Sequence, residues 1–335
     1  MQDKFGRKID YLRISLTDRC NLRCIYCMPE KGVQWQPHDS ILRIEEIVRF
    51  VRLSTQVGIR KVRLTGGEPL VRSGVVDLIA QIAQIPQIED ISLTTNGVLL
   101  PRMAADLKEA GLSRVNISLD TLDADQYAFI TRGGKIEDVF SAIDAALEYG
   151  FAPVKINAVA VRSLNQDFFG FARLSVERPL HVRFIEYMPV GVSSGGTGAG
   201  WTEKDVMPAA EIIDIIDTGA AAAGLDPLVA VGEDGAPAGS GPAVYYRFPG
   251  AQGTVGFISA MSNHFCSQCN RIRLTADGKI RPCLFSDREI DVKRALRSSL
   301  GDAAVIHDIE EAIGIKPDEH HEERSTLRRM SQIGG

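Results

Sequence analysis

Apolar and polar residues alternate with period two in six short stretches of the first 190 residues, separated by runs with helical spacing. The pattern predicts strands at Tyr11–Leu16, Lys61–Thr65, Asp90–Thr95, Arg114–Asp120, Val154–Val161 and His181–Tyr187. Between the first two, Ile44, Ile47, Val48 and Val51 fall on one helix face, and Gly58 supplies a stop. Ile136, Val139, Phe140, Ile143 and Leu147 do the same ahead of Gly150. Repetition of strand and helix argues for parallel strands joined by right-handed crossovers.

A closed or partly open barrel and an open doubly wound sheet both satisfy this order. The strands discriminate between them, because a sheet covered on both faces has strands that are apolar throughout. Here one phase is polar. Leu12, Ile14 and Leu16 alternate with Arg13, Ser15 and Thr17, and Val62 and Leu64 with Lys61, Arg63 and Thr65. Ile91 and Leu93 alternate with Ser92, Thr94 and Asn96, and Val115, Ile117 and Leu119 with Asn116, Ser118 and Asp120. Lys155 and Asn157 share one phase of the fifth strand, and Arg183 interrupts the sixth. Side chains change faces at every residue. One face therefore meets the helices while the other is wet and charged, as in a partial barrel that encloses a large polar ligand. Buried cations are costly unless opposed, so Arg13, Lys61, Arg63, Lys155 and Arg183 require an anion or carboxylates such as Asp120 or Glu186.

Beyond Tyr187 the character changes. Residues 191–200 read as a loop, and Glu203–Asp217 carries a helical pattern. The Ala-, Gly- and Pro-rich residues 219–243 predict a flexible surface insertion, peripheral to the fold. Short β-like pieces run from Val244 to Leu284, and Arg288–Ile315 looks helical. The expected organisation is a barrel over residues 1–190 and a C-terminal α+β region over 191–335.

Of the 335 residues, 44% are hydrophobic and 24% charged, which is ordinary for a globular chain. The net charge of −5 gives no global reason to expect nucleic acid or an anionic membrane as partner. No apolar run reaches the length of a membrane span, and Met1–Lys8 lacks the apolar core of a secretory signal. A cytoplasmic location is expected.

The six cysteines form two sets at opposite ends of the chain: Cys20, Cys24 and Cys27 with spacing C-x3-C-x2-C, and Cys266, Cys269 and Cys283 with spacing C-x2-C-x13-C. Three disulfides would use the same number, but reduced thiols in a cytosolic chain more often bind metal or do chemistry. Each set is one ligand short of a closed zinc site or a fully ligated iron–sulfur cluster. A [4Fe–4S] cube held by three thiolates keeps one iron open to substrate; a zinc site would draw its fourth ligand from elsewhere, His264 being the candidate at the second set.

The stretch Arg13–Pro29, with Tyr26 ahead of the third cysteine and a strand ahead of the first, resembles the signature of the radical S-adenosylmethionine (SAM) enzymes. Thr65-Gly66-Gly67-Glu68-Pro69 matches the G-G-E-P element of that superfamily, where small glycines are expected to let backbone approach the ligand. Phe265–Leu274 followed by Cys283 is similar to the second cluster site of the GTP 3′,8-cyclase family. Thr17–Cys24, Thr94–Gly97, Asn116–Asp120, Arg183–Met188 and the terminal Gly334-Gly335 fit that family too.

The resemblance implies a partial (β/α)6 TIM-like barrel with two [4Fe–4S] clusters and SAM. It implies that a 5′-deoxyadenosyl radical takes hydrogen from C3′ of GTP, and that the ribose radical attacks C8 of the guanine. Tyr26, Gly67, Ser118 and Met188 would contact SAM. Arg13, Arg63, Thr94, Lys155 and the segment Arg271-Ile272-Arg273 would contact GTP, with Lys61 and Arg183 as further contacts. Arg271, Arg273, Gly334 and Gly335 would belong to the reacting centre. The implied partners are an external one-electron reductant, a downstream pterin-forming enzyme and a second copy of the chain in a homodimer. Two other readings use the same residues. One is a radical SAM enzyme that matures peptides with an extra cluster, and the other is a zinc- or cluster-binding protein without turnover.

Overall fold

The computed structural model describes residues 1–33, 36–190, 201–239, 241–320 and 328–334. The six expected strands all form: β1 (Tyr11–Ser15), β2 (Lys61–Thr65), β3 (Asp90–Thr95), β4 (Arg114–Ser118), β5 (Val154–Ala160) and β6 (Leu180–Glu186). Neighbours pair in parallel in chain order. The crossovers carry α1 (Ile44–Ser54), α2 (Val75–Ala83), α3 (Leu100–Glu109), α4 (Ala124–Thr131), α5 (Ile136–Glu148) and α6 (Phe168–Glu177). Asp123 and Asp167 cap α4 and α6 by accepting from Gln126 N and Gly170 N, which satisfies otherwise orphaned helix donors. After α1 a short 3-10 turn ends at Gly58, whose φ of 100° suits a residue without Cβ.

The C-terminal half continues this sheet instead of packing beside it. Along the chain come α7 (Ala209–Ala222), β7 (Val229–Ala230), β8 (Val244–Arg247), β9 (Thr254–Ile258), β10 (Arg271–Leu274), β11 (Lys279–Arg281), β12 (Ile290–Asp291), α8 (Val292–Arg297), α9 (Asp302–Gly314) and α10 (Met330–Ile333). The strand order is β12-β11-β10-β1-β2-β3-β4-β5-β6-β9-β8-β7. Because β10 runs parallel to β1 and β9 parallel to β6, the arc contains eight parallel strands, edged on each side by antiparallel ribbons. Its curvature shows in Arg183 of β6, whose guanidinium donates to Asn116 Oδ1 of β4, two strands away, at 2.6 Å.

The apolar phase of the strands packs against the helices. Leu12, Ile14, Val62, Leu64, Leu93, Val115, Ile117 and Ile156 are all fully buried in one continuous core. Phe184 joins β6 to α6 and β9: its ring lies 5.2 Å from Phe168, 6.0 Å from Phe171 and 5.8 Å from Phe257. Across the outside, Arg297 of α8 donates to both carboxylate oxygens of Glu46 on α1 at 2.7 and 3.0 Å, tying the C-terminal helices to the first crossover.

Three expectations shift. The helix expected over Glu203–Asp217 starts later, because Pro208 occupies the N-cap with extended backbone; only a 3-10 turn precedes it, at Glu203–Asp205. The helix then runs on to Ala222, where Ala220 is fully buried, so the first part of the expected surface insertion belongs to the packed fold. The helical stretch expected over Arg288–Ile315 is divided: Ile290–Asp291 pairs with β11, and a break containing Gly301 separates α8 from α9. The loop at 191–200 lies outside the described residues. Among the described residues, no helix is long and apolar enough to cross a membrane.

Phe184→Ala is expected to lower stability by roughly 3–5 kcal/mol, the usual cost of emptying a buried aromatic site. A shift in the denaturant midpoint measures it; an unchanged midpoint would mean that the aromatic cluster does not secure β6.

Candidate active site

The loop after β1 carries Cys20, Cys24 and Cys27, and backbone bonds fasten it to the turn after β2. Gly67 N donates to the Thr17 carbonyl at 2.7 Å and Glu68 N to the Arg19 carbonyl at 2.8 Å. A Cβ on Gly67 would stand 2.3 Å from the Arg19 carbonyl oxygen, and one on Gly66 would stand 2.7 Å from that of Thr17. The two glycines are therefore required by the cysteine loop itself, a demand that stands beside the close approach to ligand expected of them. Glu68 anchors the turn by accepting from Leu70 N at 3.0 Å, Thr95 Oγ1 at 2.8 Å and Asn96 N at 2.7 Å. Burial pushes its carboxyl up to about 7 against those donors.

All six cysteines are free thiols. In the first set, burial comes first and neighbouring thiols second in raising Cys24 well above the ordinary range, and Cys27 is pushed up to about 12. The three thiols thus lie near enough to act on one another's charge. Tyr26 O–H donates to Asp120 Oδ2 at 2.6 Å and its ring stacks on Trp201 at 5.6 Å; Val159 N donates to the other Asp120 oxygen at 2.9 Å.

Below this loop the polar phase of the strands forms rows of cations. Arg273, Arg13 and Arg63 sit in register on the adjacent strands β10, β1 and β2. Like charges directly opposite destabilise a sheet, yet no ion pair holds Arg13, Arg63, Arg183, Arg271 or Arg273 among the described residues. Their neutral partners are few. Arg63 Nε donates to Ser92 Oγ at 3.3 Å, Arg183 to Asn116 and Asn157, and Arg273 to the Gly334 carbonyl. The Nε atoms of Arg13 and Arg183 are buried with no acceptor among the described residues. Burial, and then like-charge neighbours, lowers Arg63 and Arg273 to about 10. Tyr11 reports the same field: burial acts to raise its hydroxyl, but Arg63 and Arg13 pull it below the usual value.

The carboxylates that might have neutralised these groups are occupied elsewhere. Asp120 holds Tyr26, while Glu186 accepts from Met261 N at 2.7 Å and Ser262 N at 2.9 Å. Arg114 is the exception, donating from Nε to Asp90 at 2.8 Å. Lys155 is lowered to about 6, first by burial and then by Arg183, Arg114 and Arg63. Its Nζ donates to the Ala238 carbonyl at 2.6 Å, and Arg114 donates to the same oxygen at 2.8 Å. Residues near 238 therefore reach the inside of the arc. The expectation of a peripheral insertion at 219–243 is corrected here too, because Lys155 and Arg114 draw a chain oxygen inward.

The second set stands at the other end of the same cavity, whose volume is about 310 Å³. Cys266 and Cys269 lie on a 3-10 turn ahead of β10, and Cys283 follows β11. Ligand atoms of His264, Cys266 and His320 lie within 4.8 Å of one another. Burial would raise Cys269, but Lys316 and Arg271 outweigh it and bring this thiol to about 6.

Most of the expected site residues therefore share one space. All six cysteines, Tyr26, Gly67, Ser118, Met188, Arg13, Arg63, Thr94, Arg183, Arg271 and Arg273 line it. Lys61 does not, being ion-paired to Asp10 at 3.2 Å beyond the arc's floor. Ile272 turns its side chain into the apolar core, leaving only backbone to offer a ligand. Gly334, with φ of 67°, is buried so tightly that a Cβ would stand 2.1 Å from Thr65 Oγ1; Gly335 lies outside the described residues. Sequence reasoning missed Asn157 as a lining residue, although its polar phase on β5 was a usable signal. It also missed Lys316 and His320, for which no local pattern exists.

Three free thiols at each end, with no seventh cysteine in the chain, fit two clusters that each keep an iron open. The comparisons agree. Residues 14–173 match the Radical SAM superfamily, and residues 180–322 match the family described as Molybdenum Cofactor Synthesis C. In fold the chain is similar to the SAM-bound Streptococcus suis SuiB, with TM-score 0.57 at 15% identity, covering 88% of this chain and 64% of that one. This is a radical SAM protein. It is 54% identical to a GTP 3′,8-cyclase of Pelotomaculum thermopropionicum and 51% identical to one of Moorella thermoacetica, covering 100% of both chains in each case. The chain belongs to the GTP 3′,8-cyclase family.

Gly67→Ala is expected to displace the first cysteine loop. Iron after anaerobic reconstitution should fall from about eight toward about four per chain with the circular dichroism unchanged. Full iron content would show that the loop tolerates the added methyl.

Proposed function

We propose that this chain cyclises GTP to (8S)-3′,8-cyclo-7,8-dihydroguanosine 5′-triphosphate, the first step of molybdenum cofactor biosynthesis. The observation that carries the reading is the set of buried cations without carboxylate partners, lying between two sets of three thiols. A triphosphate is the ligand that matches it, because several negative charges offset several buried guanidiniums at once, and Arg grips phosphate oxygens in a bidentate fork. A peptide substrate would leave that charge unopposed, which disfavours the peptide-maturing alternative.

Cys20, Cys24 and Cys27 would hold the first cluster, which with bound SAM would supply one-electron radical chemistry. Tyr26, Gly67, Ser118 and Met188 bind and orient SAM, with Asp120 fixing the Tyr26 hydroxyl. Arg13, Arg63 and Arg183, with Thr94, bind the triphosphate, and Lys155 exchanges the Ala238 carbonyl for a phosphate oxygen. Lys61 adds charge from outside the lining. Arg271, Arg273 and the backbone of Ile272 carry the nucleotide toward Cys266, Cys269 and Cys283, which hold the second cluster. Gly334 meets Arg273 and Thr65, and the Gly334-Gly335 pair serves the reacting centre. The chain takes its electrons from an external one-electron donor in the cytoplasm, passes product to a pterin-forming enzyme and works as a homodimer.

The direct test is anaerobic incubation with GTP, SAM and a chemical reductant. GTP-dependent release of 5′-deoxyadenosine with a cyclised triphosphate is expected; absence of both from iron-replete protein overturns the reading.

Two quantitative outcomes follow from the cation rows. Arg63→Ala is expected to weaken GTP binding by about tenfold or more, a loss of at least about 1.4 kcal/mol, while SAM binding is unchanged in calorimetry. Equal losses for both ligands would remove Arg63 from the phosphate site. Lys155 is largely neutral above about pH 6 without ligand, and a phosphate beside it favours the ammonium form. Binding should then take up a proton, so GTP affinity falls as pH rises from about 6 toward the ordinary lysine range. Calorimetry in buffers of different ionisation enthalpy reads that proton, and Lys155→Met should abolish the uptake.

A further inference from the structure

Two buried groups that the proposed reaction leaves unused, Lys316 and His320, lie close together in the segment that follows α9. Lys316 is 2% exposed and His320 is 4% exposed. Lys316 Nζ donates to the Arg271 carbonyl at 3.0 Å and the Pro282 carbonyl at 2.8 Å, which holds its charge beside the Cys269 thiol. Four residues later, His320 Nδ1 lies 3.3 Å from Cys266 Sγ. Its ring is stacked on Phe285 with centroids 4.8 Å apart. The segment is itself held rigidly. Arg7, ion-paired to Asp3 at 2.6 Å, donates to the carbonyls of Pro317 at 2.7 Å and of Asp318 and Cys266 at 2.9 Å.

An ammonium this deeply buried is costly without a counter-charge. Among the described residues no carboxylate is ion-paired to Lys316, and the anionic groups it faces are the sulfurs of the second set. Net charge and hydrogen bonds to sulfur are what set the potential of an iron–sulfur centre, and groups beyond the ligands tune it. From this placement we propose that Lys316 and His320 are positioning residues of the second cluster, raising its electron affinity, Lys316 by its buried charge beside Cys269 and His320 by an N–H···S bond to Cys266. This inference rests on the reading that the second set holds a cluster. It goes further in assigning the control of that cluster's charge to a segment that supplies no ligand. The added electron increases the negative charge on the sulfurs, so a fixed positive charge and an N–H donor favour the reduced form.

The experiment is a redox titration of the holoenzyme followed by electron paramagnetic resonance, with iron measured on every sample. Repeating it in a Cys20→Ala/Cys24→Ala/Cys27→Ala background assigns the wave of the second cluster. Lys316→Met should cut the ratio of reduced to oxidised second cluster about tenfold at a given potential, a shift of about 59 mV to lower potential for one electron. Lys316→Arg should restore most of it, and the wave of the first cluster should stay in place. His320→Phe, which keeps the stacking on Phe285, should shift the second wave in the same direction at full iron content. Unchanged potentials in Lys316→Met and His320→Phe overturn the inference, as do equal shifts in the Met and Arg variants. Should Lys316→Met fail to take up the second cluster, His320→Phe decides by itself. Loss of the second cluster's iron in His320→Phe overturns the positioning role, since it would make His320 a ligand. A parent protein with only about four irons overturns the two-cluster reading and this inference together.

Discussion

Guanidinium groups that face one another without counter-ions constrain this molecule more than any other feature. Arg273, Arg13 and Arg63 lie in register on three neighbouring strands, and Arg183 reaches across from the far side of the arc. Water cannot solvate them fully, and the nearby carboxylates are engaged by Tyr26, Ser262 and backbone amides. Such an arrangement lasts only if the apolar side of the same strands is well enough packed to carry the repulsion. That side supplies it, with a continuous core from Leu12 through Phe257. The two faces of each strand thus have opposite thermodynamic roles, one stabilising the fold and the other held ready for an anion.

Ala238 shows how strong that readiness is. A single carbonyl oxygen accepts from both Lys155 and Arg114, and the chain folds inward to deliver it. A neutral dipole placed where an anion would sit lowers the desolvation cost of the empty site without matching a full charge.

The two sets of cysteines are built differently around this basin. Backbone does the work at the first, where amides after β2 hold the carbonyls of Thr17 and Arg19 and glycines make the approach feasible. At the second, side chains from distant segments converge. Arg7, Lys316 and His320 bring the N-terminus and the end of α9 onto the turn that carries Cys266 and Cys269. Each set sits just outside one end of the cation rows, so a molecule spanning the cavity meets both.

Much of this was legible in the chain alone. Alternation of apolar and polar residues located all six barrel strands and assigned their faces, because the period of a strand fixes which side chains share a side. Spacing located both sets of cysteines, since ligands of one centre that lie close in sequence leave a local signature. Other features depended on tertiary structure. Nothing in the alternation shows that β9 and β10 extend the arc at both edges, because strand pairing over such separations has no local trace. Ile272 and Lys61 could be placed on or near the site by motif, yet packing turned one into the core and gave the other to Asp10. Lys316 and His320 lie in an unremarkable stretch, and their meaning comes from touching sulfurs some fifty residues earlier in the chain. Local periodicity and spacing determine elements and ligand sets; which buried charge meets which partner is decided only when distant segments close around the same space.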